Sequence, residues 1–177
     1  MTHLPLGRRA FLGAAAASAA LLSKTKQAQA FDSDDIYQYP VTHSDAEWRE
    51  QLSEIEHYVL RGRGTEAPHS SALWESTATG TYCCRGCDLT LYDSLQKLEL
   101  DKGWAFFRHS HKDTVMTDLD LGPGEMGDPF AEMNAMMEAH CRRCGSHLGH
   151  IVALPEVKGR PIHCINGFAL RFEPANA

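Results

Sequence analysis

Four apolar residues after position 44 recur at intervals of three or four: Trp48, Leu52, Ile55 and Val59. This spacing places them on one face of a helix. Ser44 precedes the stretch and Glu47 follows it by three positions, which is the capping-box pattern that begins a helix. The sequence therefore predicts one or two short helices over residues 45–60, ended by the glycine-rich residues 61–64.

The pattern changes after residue 65 to short apolar or aromatic runs separated by glycine and polar clusters, which is typical of β-strands. The runs cover residues 80–83, 89–92, 104–108, 136–140, 148–154 and 162–172. Alternation in the last run places Cys164 and Asn166 on one strand face and His163 on the other. Residues 110–130 contain Gly and Pro clusters with little periodicity, so they are predicted to be a loop. We expect a mainly β, mostly antiparallel domain with helices at its N-terminal end.

Residues 1–30 have the pattern of an export signal rather than of a folded segment. The pair Arg8–Arg9 precedes an alanine-rich apolar run over residues 10–22, which is too short to span a bilayer. Ala28–Ala30 forms a small-x-small cleavage pattern. The sequence predicts twin-arginine export to a bacterial periplasm, with the mature protein starting near Phe31. The alternative is a retained amphipathic anchor.

Removal of this signal makes the chain more acidic. The whole chain has 17 basic and 23 acidic residues, and four of the basic ones lie in the signal, where there is no acidic residue. An acidic chain argues against nucleic acid and anionic membranes as partners. We expect a monomer, with an extended lead-in over residues 31–44 and one domain over residues 45–174.

Two cysteine pairs have the spacing of metal ligands. Cys84 and Cys87 form the first pair, and Cys141 and Cys144 form the second. Four thiolates in two such pairs match a structural zinc site, in which every coordination position is filled by the protein. Export to an oxidising compartment leaves disulfides as the alternative. A CxxC disulfide closes a short, strained ring, so the sequence favours one structural zinc ion.

Cys164 lies outside these pairs and is a candidate nucleophile. A reactive thiol needs a nearby cation or hydrogen-bond donor, and His147 and His150 supply two imidazoles in the sequence that follows the second pair. Asn166 shares the predicted strand face of the thiol. The alternatives are that Cys164 is an inert buried cysteine and that the histidines pack beside the metal.

Several segments together resemble the methionine-R-sulfoxide reductases of the B type. They are Gly64–Glu66, Cys84–Cys87, Gly103–Trp104, Cys141–His150, Cys164–Asn166 and Ala169–Phe172. The resemblance covers roughly residues 45–174. It implies a β-tent of two antiparallel sheets around a structural zinc, and reduction of R-methionine sulfoxide in proteins.

The resemblance also implies roles for individual residues. Cys164 would attack the sulfoxide sulfur and become a sulfenic acid, which a thioredoxin-like protein or a small thiol would reduce. His147, His150 and Asn166 would position the sulfoxide oxygen and its protons. Trp104 and Phe107 would bind substrate, with the Trp104 ring packed on the methyl group.

Two positions depart from the family pattern. Lys102 occupies the place of the resolving cysteine, so the usual internal disulfide is not expected to form. Ile162 stands where the family carries an arginine, which removes a cation that would favour the thiolate of Cys164. Cys83 is expected to pack, with a resolving role as the alternative.

Three functions are compatible with these residues. The first is an exported, zinc-stabilised reductase, which the retained thiol, histidines and Trp104 favour. The second is a catalytically weakened zinc-bound module that binds peptides or methionine-rich proteins, which Lys102 and Ile162 favour. The third, a thiol–disulfide oxidoreductase using a CxxC pair, lacks the helix N-terminus that activates such a pair.

Overall fold

Two short helices lead into the domain, as the capping pattern predicts. The computed structural model describes residues 37–122, 127, 129 and 133–175. Helix α1 spans Asp45–Gln51 and helix α2 spans Glu54–Leu60, and each begins with a complete capping box. In the second box Ser53 accepts from the Glu56 amide, which explains why the chain restarts as a separate helix. None of the described helices is long and apolar enough to cross a membrane.

The described strands form two antiparallel sheets, which confirms the predicted fold class. The three-stranded sheet has the order β2-β1-β9 and contains β1 (Gly80–Cys84), β2 (Thr90–Asp93) and β9 (Leu170–Pro174). The six-stranded sheet has the order β3-β4-β8-β7-β6-β5. Its strands are β3 (Lys97–Leu98), β4 (Ala105–Phe107), β5 (Val115–Asp120), β6 (Met136–Cys141), β7 (His147–Val152) and β8 (Ile162–Ile165).

The prediction of a loop over residues 110–130 is wrong at Val115–Asp120, which form strand β5. Val115–Asp120 pairs with β6 along its whole length. β5 is an edge strand, and its residues Thr117, Asp118 and Leu119 are all exposed. An edge strand that faces solvent on both sides has no apolar alternation, so the sequence pattern does not reveal it.

The predicted continuous strand over residues 162–172 is also wrong, because it is interrupted at Asn166. β8 ends at Ile165, a 3-10 turn spans Gly167–Ala169, and β9 then joins the other sheet. The chain therefore crosses between the two sheets immediately after the candidate nucleophile.

The hydrophobic core lies between the sheets and the helices. Trp48 and Leu60 bring the helices into it. Aromatic rings fill its centre: Phe107 stacks on Tyr92 with ring centroids 4.3 Å apart and meets the edge of Tyr82 at 5.0 Å. These buried rings hold the six-stranded sheet in place, and its other face carries the candidate site.

Candidate active site and metal centre

The two cysteine pairs form matching turns at the ends of two strands. Cys84 ends β1 and Cys141 ends β6. In each turn the residue after the second cysteine has a left-handed backbone, with φ of 58° at Asp88 and 68° at Gly145. Its amide donates to the carbonyl of the first cysteine, over 2.9 Å in the first turn and 2.8 Å in the second. The same backbone geometry thus presents two sulfurs in each turn.

The four cysteine sulfurs converge on one point and fit a zinc ion. All four lie within 4.8 Å of one another, with Cys84 to Cys144 at 3.7 Å and Cys87 to Cys141 at 3.5 Å. A tetrahedral zinc with Zn–S bonds of about 2.3 Å places its sulfurs about 3.8 Å apart. The cysteines are not joined as disulfides. The protein therefore has a four-cysteine site for a structural zinc, as the sequence predicts.

The candidate nucleophile lies in the centre of the six-stranded sheet. Cys164 on β8 is directly opposite Phe106 on β4 and His150 on β7. Burial raises the pKa of its thiol to about 12, and the negative charge of Glu66 acts in the same direction. Ile162, two residues earlier, is buried and brings no charge. The thiol is therefore protonated at neutral pH in the substrate-free protein.

A β-bulge brings both histidines to the face of this thiol. Residues three apart on a regular strand point to opposite faces, so His147 and His150 would be separated. The β6–β7 register shifts between Ala139 and His140, which leaves Leu148 as the extra residue on β7. The shift reverses the alternation, and the two imidazole rings meet with centroids 5.3 Å apart.

Glycine is required at the position after the bulge. Gly149 has φ of 153°, and a Cβ atom there would lie 2.1 Å from the carbonyl oxygen of Cys164. The backbones of β7 and β8 thus approach closely beside the nucleophile.

Each histidine is bound to a carboxylate through a different ring nitrogen. His147 Nδ1 lies 2.7 Å from Glu138 Oε1, and Glu138 also forms an ion pair with Arg63. His150 Nε2 lies 2.7 Å from Asp120 Oδ2. Burial opposes ionisation of Asp120, but hydrogen bonds from His150 and the Gly122 amide outweigh it and lower the pKa of this carboxyl. Among the described residues, the buried Nε2 of His147 has no hydrogen-bond partner.

Asn166 contacts the backbone around the site. Its Oδ1 accepts from the Glu66 amide at 3.0 Å, and its Nδ2 donates to the Leu148 carbonyl at 3.1 Å. The Asn166 amide donates to the same carbonyl at 2.9 Å. Since Leu148 is the bulge residue, Asn166 holds the bulge that places His147. Asn166 also follows the end of β8 rather than continuing it.

Glu66 is a structural residue that sequence reasoning left without a role. It is buried, and its carboxylate accepts from the amides of Gly167 at 2.8 Å and Phe168 at 2.9 Å. Burial raises its pKa, although these two bonds favour the charged form. Its backbone carbonyl also accepts from the indole nitrogen of Trp104 at 3.3 Å, so it orients that half-buried ring. The motif Gly64–Glu66 was the available sequence signal.

Phe107, which was expected to bind substrate, and His163 lie on the face of the six-stranded sheet opposite to the thiol. Phe107 is fully buried in the core, on the face of β4 opposite to Phe106, so it packs on Tyr92 rather than at the site surface. The sequence could not distinguish these adjacent phenylalanines. His163 faces the core, with Nδ1 3.1 Å from the Tyr92 hydroxyl, as strand alternation predicts.

Cys83 and Lys102 do not form an internal redox pair with Cys164. Cys83 is buried in the three-stranded sheet, with its sulfur 3.6 Å from the Thr90 hydroxyl. Lys102 forms an ion pair with Glu156 at 2.6 Å. Neither position supplies a second thiol beside the nucleophile in this structure.

The fold and site together define a class of protein: a two-sheet domain with a structural zinc site, and with a half-buried thiol and two carboxylate-bound histidines on one sheet face. The SelR domain family matches residues 52–174. The peptide methionine sulfoxide reductase MsrB of Agrobacterium fabrum is 34% identical over 142 residues, which cover 79% of this chain and 98% of that protein. The corresponding MsrB of Leptospira interrogans is 32% identical, covering 76% and 97%. The rat protein named methionine-R-sulfoxide reductase B2, mitochondrial, is 31% identical over 150 residues, covering 81% and 82%. The chain therefore belongs to the SelR family, the B-type methionine sulfoxide reductases.

Proposed function

We propose that this protein reduces methionine-R-sulfoxide in proteins to methionine, with Cys164 as the nucleophile. The observation that carries the proposal is the shared face of β7 and β8. There the Cys164 thiol lies opposite His150, and His147 has a buried nitrogen without a partner among the described residues. Membership of the SelR family supports the same activity.

The chemistry is a transfer of the sulfoxide oxygen to the cysteine sulfur. The Cys164 sulfur forms a bond to the sulfoxide sulfur, and the sulfoxide oxygen takes up a proton. In the breakdown of this adduct the bond between the two sulfurs and the sulfoxide sulfur–oxygen bond break, and an oxygen–sulfur bond forms on Cys164. This releases methionine and leaves Cys164 as a sulfenic acid. Two equivalents of an external thiol then reduce the sulfenic acid, giving a disulfide and water.

The residues around the thiol supply the proton and the apolar contact. His147 Nε2 is the buried nitrogen that would hold a proton for the sulfoxide oxygen, with His150 beside it. Trp104, oriented by the Glu66 carbonyl, would pack on the substrate methyl group. Asn166 would act through the Leu148 bulge. The neutral thiol of Cys164 must lose its proton during the attack, because the thiolate is the reactive form.

The proposal includes the reduction of the Cys164 sulfenic acid and the cellular location of the protein. With Lys102 paired to Glu156, an external thiol reductant would act directly on the sulfenic acid. The predicted twin-arginine signal lies outside the described residues, and the periplasm remains our proposed location, with oxidised proteins or peptides as partners.

The test uses the purified, zinc-loaded protein with a racemic methionine sulfoxide peptide and dithiothreitol, followed by chiral analysis of the remaining sulfoxide. We expect only the R epimer to be consumed. Cys164→Ser should abolish turnover and leave the fold and zinc content unchanged, because a serine hydroxyl is too weak a nucleophile. Cys83→Ser, in the other sheet, is the matched control. Full activity in Cys164→Ser would refute the mechanism, and equal consumption of both epimers would refute the specificity.

A second candidate function is a weakened module that binds sulfoxide-containing peptides without efficient turnover. The raised pKa of Cys164 and the apolar Ile162 favour it. Peptide binding by wild-type protein that consumes neither epimer would support this function over the first.

A further inference from the structure

A buried carboxylate lies directly behind one of the two histidines. Glu138, in β6, is 5% exposed. A carboxylate at this depth is stable only when paired and hydrogen-bonded. Glu138 has both kinds of partner, because Arg63 forms an ion pair with it and His147 Nδ1 lies 2.7 Å from its other oxygen.

Arg63 approaches this carboxylate from outside the sheet. It follows α2 in a left-handed backbone conformation, with φ of 54°, and its side chain is about half exposed. A non-glycine residue in this region is uncommon and carries a conformational cost. In this conformation Arg63 forms the ion pair with Glu138.

The hydrogen-bonding capacity of a carboxylate determines which nitrogen of His147 carries hydrogen. An ionised carboxylate only accepts hydrogen bonds, and the two oxygens of Glu138 face the Arg63 guanidinium and His147 Nδ1. The His147 nitrogen facing Glu138, Nδ1, must therefore carry hydrogen. In the neutral ring Nε2 is then an acceptor, and this is the buried atom without a partner among the described residues.

His150 has the opposite arrangement. Its Nε2 lies 2.7 Å from Asp120, a carboxylate on β5. The same argument places hydrogen on Nε2 of His150. Two histidines whose rings are 5.3 Å apart are thus held in opposite tautomers by carboxylates from two different strands.

We propose that Glu138 and Arg63 are positioning residues that hold His147 with Nδ1 protonated, so that Nε2 is the atom presented to the sulfoxide oxygen. The inference rests on the proposed function for the identity of the substrate. Glu138 and Arg63 do not touch the substrate and act through His147. Nε2 takes up the proton that leaves the Cys164 thiol and donates it to the sulfoxide oxygen as the Cys164 sulfur attacks.

The tautomers can be read directly by long-range proton–nitrogen correlation spectra of ¹⁵N-histidine-labelled, zinc-loaded protein. The Cys164→Ser background prevents oxidation of the nucleophile, and loss of peaks in His147→Asn provides the assignment. With the rings neutral, we expect hydrogen on Nδ1 of His147 and on Nε2 of His150. Hydrogen on Nε2 of His147 in this protein would overturn the inference, whatever the variants do.

Substitution of the carboxylate tests its role. Glu138→Leu should move His147 towards the Nε2–H form and leave His150 unchanged, so His150 serves as an internal control. With Cys164 intact, Glu138→Leu should lower kcat by about tenfold or more with a smaller effect on KM. Glu138→Gln retains an acceptor oxygen and should recover the Nδ1–H form and most of the rate. An unchanged tautomer in Glu138→Leu would contradict the inference, and if that variant fails to fold, the wild-type tautomer of His147 decides.

The role of Arg63 is tested by comparison with Arg49, which forms an ion pair at the surface with Asp45. Arg63→Met should lower kcat, whereas Arg49→Met, which breaks an exposed pair with Asp45, should not. Equal rates in the two variants would remove Arg63 from the proposal. Failure of sulfoxide reduction in the wild-type protein would refute the proposed function alone, since the tautomers are measured without substrate.

Discussion

Gly149→Ala is expected to disrupt the site and the fold at the same point. The new methyl carbon would lie 2.1 Å from the carbonyl oxygen of Cys164 and 3.0 Å from Cα of Ile165. Both atoms belong to the backbone of β8 and have no flexible side chain that could move aside. Strands β7 and β8 must therefore separate beside the nucleophile, where Gly149 is paired with Ile165.

The expected cost has two parts. Overpacking in a close-packed interior costs about 1–3 kcal/mol, and a left-handed backbone at a non-glycine residue adds about 1–2 kcal/mol. The free energy of unfolding should fall by about 2–5 kcal/mol, out of about 5–15 kcal/mol for a typical domain. For a domain of this size the Tm should fall by about 4–20 °C.

Two alanine variants separate the contributions. Gly80→Ala places a Cβ 2.1 Å from the Glu173 carbonyl oxygen, but in the three-stranded sheet and without a left-handed backbone. Gly159→Ala, at φ of 108°, meets open space and tests backbone strain alone. Gly80→Ala should lose stability but keep its turnover per folded molecule.

The assay combines thermal unfolding of the zinc-loaded proteins with sulfoxide reduction at a temperature at which all variants are folded. Gly149→Ala should lose both stability and turnover. A Gly149→Ala protein with wild-type Tm and wild-type turnover would show that the close approach of β7 and β8 is not required, and would refute the reasoning.

Three further predictions concern the metal, the thiol and recycling. Cys141→Ser combined with Cys144→Ser should give a metal-free protein without cooperative unfolding, since structural zinc contributes on the order of 10 kcal/mol; a stably folded double variant would contradict this. The pKa of Cys164 is raised to about 12, so only a small fraction of this thiol is ionised at neutral pH. Alkylation of Cys164 by iodoacetamide should therefore accelerate about tenfold per pH unit from pH 7 to 10. A rate that levels off near pH 8 would exclude that burial effect. Lys102→Cys should raise the rate of sulfoxide reduction with a thioredoxin-like reductant if a thiol at position 102 can reach the sulfenic acid of Cys164. An unchanged rate, with Cys164 still reactive, would show that position 102 is too far away.

The zinc centre and most of the fold could be predicted because their signals are local. The Cys84–Cys87 and Cys141–Cys144 spacings specify metal turns without any knowledge of the tertiary structure. The capping box at Ser44 likewise predicts where α1 begins. The edge strand β5 could not be predicted, because its exposed residues Thr117–Leu119 have no apolar alternation.

The arrangement around the thiol depends on features that regular alternation does not contain. The bulge at Leu148 places His147 and His150 on one face, although a spacing of three predicts opposite faces. The side chain of Asn166 binds that bulge, a contact set by the end of β8 rather than by strand parity. The contact between Glu138 and His147 was not predicted, because it is diagonal: the strand register places Glu138 opposite His150.

The contacts that close the site also determine when it can form during synthesis. Glu66 binds Asn166, Gly167 and Phe168 across separations of 100 to 102 residues. All four zinc-binding cysteines precede Cys164 in the sequence, so they leave the ribosome before it during synthesis. Because the chain emerges in sequence order, capture of the metal can precede the appearance of the nucleophile. The order of the polypeptide thus separates its two kinds of thiol in time and limits the chance that the reactive cysteine takes a place in the metal centre.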